Sequence, residues 1–549
     1  MAVSDYLVTD DLTVLLGFIG VTVFVLQNLY KPQPLVHPIL LGRQSDAGRV
    51  RHPGESAVYR NYGTGLMGRF PMRPDKDVNV VTDLVKPEFD APRTLWSTKI
   101  TNAQLKARVS AFGSGIAKLV PEESTVLLLL NDSIEFLISD LALSEQSIAS
   151  ITLSSPELLT QVLEKHPPNA IITDATFLPH VLEIIYDAHE HHHKVIVVGK
   201  SDSNIKPKAM KEVEIHSWNE VESNGKVPQA PKNNPQSGSA HTVSFFETPS
   251  GEMRCVQLTH ENFTSGVTAI KALFPAAINL STLDTIVSGH SLSTPYGRAI
   301  AYTALFEGAS FATLPSTAVF HVGGAPTLDV TDVISATKFP IPSPTVLFLK
   351  PGHVQSLASA VMERAKKSFF IYPLAWRHKF TSLTEGFITK DSLWDRTVFG
   401  GAREAVLGKM ADTVKAVVIS GGPLPFDALA PARVALSVPL INTFTHGSAT
   451  GPLFATHAFD LQMLPSSSPA AEPAHVGAPS VNVEAKLIAV DDDMVEKGAD
   501  PIGEILVRGP PVGNMLSAEG EAGEKNAWVR MGEKGRVMTN GAFKVLGFM

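Results

Sequence analysis

Cysteine is nearly absent: Cys255 is the only one in 549 residues. An internal disulfide is excluded, and so are CxxC zinc sites and iron–sulfur centres, which need several thiolates. Excess positive charge is missing too. Lysine and arginine number 46 against 54 acidic residues, a net charge of −8, so no extended basic face for nucleic acid is available. No internal repeat marks a solenoid. With 44% apolar and 18% charged residues, wholesale disorder is excluded as well. The length calls for roughly three or four compact units rather than one core.

The N-terminus has an unusual texture. Leu12 to Tyr30 carries no charge, and as a helix it would rise about 28 Å, close to the ~30 Å hydrocarbon core of a bilayer. Asp5, Asp10 and Asp11 precede it, against a cleaved signal peptide or a transit peptide. Lys31, Arg43, Arg49 and Arg51 follow it, which by the positive-inside rule keeps the body cytosolic. The expectation is a single-pass membrane anchor over residues 1–31, in the endoplasmic reticulum or peroxisome. A buried core helix is the alternative, given Gln27 and Asn28. Residues 32–90 read as a Pro- and Arg-bearing connector. Its Arg60, Arg69 and Arg73 are either solvated or laid against anionic head groups.

Beyond the connector the pattern is α/β. Thr101 is placed to cap a helix through Leu105, Val109 and Phe112. Val126–Leu130, Ala170–Thr173 and Val195–Val198 are apolar bursts at crossover spacing, the mark of buried parallel strands. Asn131, Asp132 and Ser133 precede a helix from Ile134. Residues 91–221 are therefore assigned to one doubly wound lobe and 222–240, rich in Ser, Asn, Pro, Gln and Gly, to a linker. Strand candidates Thr285–Ser288, Thr345–Leu349 and Ala416–Ser420 place a second α/β lobe in 241–464. After the loop Pro465–Pro473, short strands at Val483–Val490 and Glu504–Val507 suggest a small β-barrel-like subdomain over 474–549.

Five segments carry chemistry. Thr248-Pro249-Ser250-Gly251-Glu252-Met253-Arg254-Cys255 is a small-residue loop followed by a cation. Such loops turn backbone N–H groups onto phosphates. Thr259-His260 follows. Ser420-Gly421-Gly422-Pro423-Leu424 closes an apolar strand, and Phe444-Thr445-His446-Gly447-Ser448-Ala449-Thr450 closes another. Gly503-Glu504-Ile505-Leu506-Val507-Arg508-Gly509 and Trp528-Val529-Arg530-Met531-Gly532-Glu533 complete the set. In this order and spacing they resemble the adenylate-forming (AMP-binding) family, from about residue 100 to the end. His37 to Ser45 and Gly54 to Arg60, with the apolar N-terminus, are similar to fungal long-chain fatty-acid–CoA ligases.

The resemblance implies nucleotide contacts at Ser250, Gly251, Arg254, Gly421, Gly422, His446, Gly447 and Glu533, with His290, Tyr296 and Gly297 on the acyl side. It also marks departures. Thr248 and Cys255 replace glycines, Pro249 deletes a donor, and Thr450 stands where the family carries a magnesium-binding glutamate. Phe548 replaces the hinge arginine, and the family's small C-terminal domain, which carries a catalytic lysine, does not follow Met549. The expectation is a synthetase-like protein that binds ATP or AMP weakly, holds no magnesium, uses coenzyme A only if active, and turns over little by itself. No residue is assigned a catalytic role. An active ATP-dependent fatty-acid–CoA ligase completed by a protein partner, and a membrane-tethered scaffold, are the alternatives. A long-chain fatty acid is the expected acyl ligand.

Two other signals are weighed and set aside. Gly289-His290-Ser291-Leu292-Ser293 approaches a nucleophile elbow, but it ends in Ser and meets Pro295. His189, His191, His192 and His193 lack an acidic partner cluster and read as a solvated helix end.

Overall fold

The structure is a computed structural model that describes residues 11–29, 33–64, 69–121, 124–188, 193–199, 213–226, 234–320, 327–462, 472–516 and 527–548. Asp5, Asp10, Lys31, His189, His191, His192, part of the 222–240 linker, nearly all of the Pro465–Pro473 loop and Met549 lie outside them.

Continuous apolar runs form the centres of two sheets, as strands covered by helices on both faces require. In the first, Val213–Ser217, His193–Val198, Ala170–Asp174, Thr125–Leu129, Ala149–Leu153 and Ala240–Glu247 lie side by side and parallel. In the second, Ser310–Thr313, Thr285–Ser288, Val346–Leu349, Ala416–Ile419 and Leu440–Phe444 are parallel, and the first four are buried along their whole length. A third sheet of six strands is antiparallel and ends on Val529–Val537 and Phe543–Phe548.

Local signals placed the helix starts. Thr101 accepts from Gln104 N at 3.2 Å while the Gln104 side chain takes the Thr101 N–H at 3.0 Å, a capping box. Ser133 caps the helix Ile134–Glu145. Pro295, expected to disturb a helix, instead begins Pro295–Glu307 behind the cap of Thr294, where a missing N–H costs nothing.

Three expectations are corrected. The span first: among the described residues no helix is long and apolar enough to cross a membrane. The helix Asp11–Leu29 begins on an acid and reaches Gln27 and Asn28 before its end. Its uninterrupted apolar part, Leu12 to Leu26, rises only about 22 Å, short of the ~30 Å core. The single-pass anchor, and the membrane location drawn from it, are therefore withdrawn. Second, 32–90 is more than a connector. Ser45–Arg49 and Val58–Asn61 pair with each other and extend the antiparallel sheet through Val58–Asn61 against Glu484–Ile488. The sequence Ser-Asp-Ala-Gly-Arg has no apolar alternation, so only its partners make it a strand. Third, the division at 241 cuts through one sheet. Ala240–Glu247 and Met253–Thr259 belong to the first lobe, while Arg93–Leu95 and Thr98–Ile100 join the second.

A buried charge cluster joins the lobes. Arg298, fully buried on Pro295–Glu307, donates to Asp140 Oδ1 at 3.1 Å, Ser150 Oγ at 3.4 Å, Thr152 Oγ1 at 3.0 Å and Thr242 Oγ1 at 3.3 Å. Tyr302 OH donates to Asp140 Oδ2, and His241 Nε2 lies 3.4 Å from the same oxygen. Burial alone would raise the Asp140 carboxyl; Arg298 and His241 outweigh it and hold it well below the usual range. Removing one partner strands the other charge in the core, at a cost of about 3–5 kcal/mol. Arg298→Met should therefore lower the melting temperature sharply, and Arg298→Met with Asp140→Leu should recover much of the loss. Thermal unfolding followed by circular dichroism checks this; a single variant as stable as the parent contradicts it.

Candidate functional site

The motif residues converge where the carboxyl ends of the second lobe's strands face the first lobe, the usual ligand crevice of open parallel sheets. Ser420-Gly421-Gly422 leaves the strand Ala416–Ile419, His446-Gly447 leaves Leu440–Phe444, and His290 leaves Thr285–Ser288. The phosphate-loop counterpart is the hairpin between Ala240–Glu247 and Met253–Thr259.

His446 is half-buried, its ring edge-on to Phe246 at 5.3 Å, with Nδ1 2.8 Å from Ser448 Oγ. Burial first, then the charge of Arg254, lowers its pKa to about 4. It is neutral at pH 7, an aromatic plate rather than a cation. Gly447 is required beside it: a Cβ there would stand 2.6 Å from the Phe246 ring. Glu533, on Val529–Val537, is buried, its Oε2 has no hydrogen-bond partner among the described residues, and burial raises its pKa to about 8. Gly421 and Gly422 form an exposed turn.

The hairpin turn is closed on itself. Thr248 N donates to Glu252 O at 2.9 Å, Gly251 N to Thr248 O at 2.8 Å, and Glu252 N to Thr248 Oγ1 at 3.1 Å. The Thr248 and Ser250 hydroxyls lie 2.8 Å apart, and Arg254 sits 3.7 Å from Glu252. Three N–H groups that a phosphate loop would aim outward are thus engaged within the turn.

Thr450 is fully buried and points away from this turn. Its hydroxyl donates to Asn262 O at 2.6 Å and lies 3.2 Å from Pro511 O; its N–H donates to Pro511 O at 3.0 Å. The helix His260–Lys271 passes so close that a Cβ on Gly266 would stand 2.6 Å from Thr450 Oγ1. The Thr450 hydroxyl makes no hydrogen bond to the phosphate turn among the described residues. No group of three or more His, Cys, Asp or Glu suited to a metal occurs among the described residues.

Among the residues expected on the acyl side, His290 Nε2 is 2.7 Å from Ser420 Oγ, and burial, then Lys350 and His353, lower its pKa to about 3. So weak a base, without an orienting carboxylate, gives no activated serine. The Tyr296 hydroxyl is buried without a partner at hydrogen-bond distance, although Ser420 and Thr443 face it; burial pushes its pKa up. Gly297 lies in the first helical turn, its N–H 3.2 Å from Thr294 Oγ1. Asp132, absent from the sequence-derived set, accepts from Ser291 Oγ at 3.0 Å and Leu292 N at 2.8 Å, and burial raises its pKa to about 6. Phe246 and Asn262 were also missed. The spacing of Thr259 and Asn262 marks a capping box, which the structure contains, but nothing local ties Asn262 to Thr450.

His446 offers a half-buried ring, and Glu533, on a different sheet, a buried acceptor without a hydrogen-bond partner among the described residues. The hairpin turn engages three of its own donors, and the neutral Thr450 hydroxyl is bonded to Asn262 O.

The fold is that of the adenylate-forming enzymes. An anthranilate CoA ligase, AuaEII, in complex with anthranoyl-AMP superposes with a TM-score of 0.61 at 16% identity, covering 87% of this chain and 78% of that one. O-succinylbenzoate coenzyme A synthetase from Bacillus subtilis, with AMP, gives 0.57 at 15% identity over 85% and 78%. The family model described as AMP-binding enzyme matches residues 85–516, and the chain belongs to that family. It is 24% identical to human long-chain-fatty-acid–CoA ligase 1 over 61% of this chain and 45% of that protein. The rat long-chain-fatty-acid–CoA ligase 5 is 24% identical over 75% and 58%. The chain spans about half the length of the curated relatives it matches.

Glu533 yields a test of the geometry. Its folded-state pKa stands above the ordinary 4.5, so stability falls as pH rises from about 4.5 to about 8. Glu533→Gln should stabilise the fold at pH 8 by on the order of a few kcal/mol and change it little at pH 4. Urea unfolding at both pH values decides; a glutamine variant weaker at pH 8 contradicts the buried, unpartnered carboxyl.

Proposed function

We propose that this chain is an acyl-CoA-synthetase-like member of the AMP-binding family that retains recognition of the adenosine moiety and is impaired in magnesium-dependent adenylation. One observation carries the reading: the Thr450 hydroxyl is spent on Asn262 O, at 2.6 Å, inside a fully buried site. In the family pattern a carboxylate here holds the metal that neutralises the phosphates. Such charge stabilisation commonly accounts for a few kcal/mol of the barrier, or orders of magnitude in rate.

The acyl ligand is proposed from the curated relatives, which are named long-chain-fatty-acid–CoA ligases; coenzyme A as acceptor follows from the same names. Within the site, Glu533 would accept from a sugar hydroxyl pair and His446 would present its ring to the base. A carboxylate that gains two donors is favoured in its ionised form, so adenosine should bind more tightly as pH rises from about 6.5 toward about 8.5.

Isothermal titration of AMP and ATP with and without magnesium tests the proposal. Magnesium is expected to change ATP affinity by less than about threefold. A tenfold tightening, about 1.4 kcal/mol, would restore an ordinary metal-dependent synthetase and overturn the reading.

A further inference from the structure

A patch far from the crevice has its own chemistry. From Arg364 to Phe380 the sequence holds Arg364, Lys366, Lys367, Arg377 and Lys379 and no acidic residue, within a protein of net charge −8. Lys379 is buried and bonded to Asp395 at 2.7 Å, whereas the other four cations are exposed and none pairs with an acid among the described residues. Among them stand Phe369, 77% exposed, Phe370, 89% exposed, and Leu374, 59% exposed. The two phenylalanines touch edge to face at 5.4 Å. They form the corner between the helices Pro351–Lys366 and Tyr372–Thr384.

Two neighbouring phenylalanines this exposed are unusual, because each gives up much of the hydrophobic stabilisation a core position would supply. Their helices do not need them outside. Tyr372–Thr384 is fixed from beneath by Ala375, Lys379 and Leu383, all buried. An aromatic tip ringed by cations matches one kind of surface well, an apolar layer beneath a negatively charged face.

We infer that the Phe369–Phe370 corner, with Arg364, Lys366, Lys367 and Arg377 around it, docks peripherally on an anionic lipid surface. The contact is interfacial. The phenylalanines enter the boundary between head groups and acyl chains while the four cations meet lipid phosphates and carboxylates. This inference is independent of the nucleotide reading and survives its failure.

Co-sedimentation of the full chain with vesicles tests it. Vesicles containing about 30% phosphatidylserine should bind the protein more tightly than neutral phosphatidylcholine vesicles, and salt should weaken the binding. Phe369→Ser with Phe370→Ser should lower the partition constant at least about tenfold on anionic vesicles. Lys366→Glu with Lys367→Glu should abolish the preference for anionic over neutral lipid, each lysine contributing about fivefold. These side chains are exposed, and unchanged circular dichroism and melting temperature confirm that the variants fold. Equal binding to neutral and anionic vesicles, or binding unaffected by both pairs of substitutions, overturns the inference. So does concentration-dependent self-association that the phenylalanine variants abolish without any vesicle binding, which would assign the patch to a second copy of the chain.

Discussion

Everything at the crevice rests on one buried ion pair. Arg298 leaves the second lobe and reaches Asp140 and three hydroxyl side chains of the first, without access to water. The pair is the charged part of a set of directional contacts between the lobes that also includes Asp132 with Ser291 and Leu292 N, and Asn131 with Val319 N and Phe320 N. Tyr296 and Gly297 precede Arg298 on the same helix, so the acyl-side residues inherit their position from it. Buried charge of this kind is weak as a source of stability, but it is directional and intolerant of slippage. A site assembled from the ends of several strands needs that directionality.

Against this rigid frame, the nucleotide site is uneven. At two separate places polar groups are left without hydrogen-bond partners among the described residues: Glu533 Oε2 and the Tyr296 hydroxyl, both buried. Unpaired buried polar atoms are costly and uncommon, and a ligand that supplies the missing partner removes the cost. Elsewhere the reverse holds. The Thr248–Glu252 turn bonds within itself and the Thr450 hydroxyl bonds to Asn262 O, which is comfortable for the fold. This unevenness, with polar groups open in some places and engaged in others, gives the proposed function its physical content.

Much of the fold was legible in the sequence because its signals are local. The runs at 126–130 and 170–173, the caps at Thr101 and Ser133, and the order of the five motifs each state their own conformation. What was not legible depends on distant partners. Ser45–Arg49 is a strand only because Val58–Asn61 and then Glu484–Ile488 lie beside it. The hairpin at 240–259 was given to the wrong lobe because adjacency in a sheet is not written along the chain. At the site, the sequence states that residue 450 is a neutral threonine, but only the structure shows its hydroxyl bonded to Asn262 O and lying against Pro511. The apolar run at 12–26 was read correctly as a helix and incorrectly as a span, for the sake of a few residues of length.

The most direct test of the central claim is magnesium-dependent exchange of pyrophosphate into ATP in the presence of a long-chain fatty acid. Exchange reports the adenylation step alone, independent of thioester formation. A site that recognises adenosine but cannot hold metal-bound phosphates predicts no exchange above background over a broad range of magnesium. Exchange that rises with magnesium and with the fatty acid would contradict the account and make this chain an adenylating enzyme.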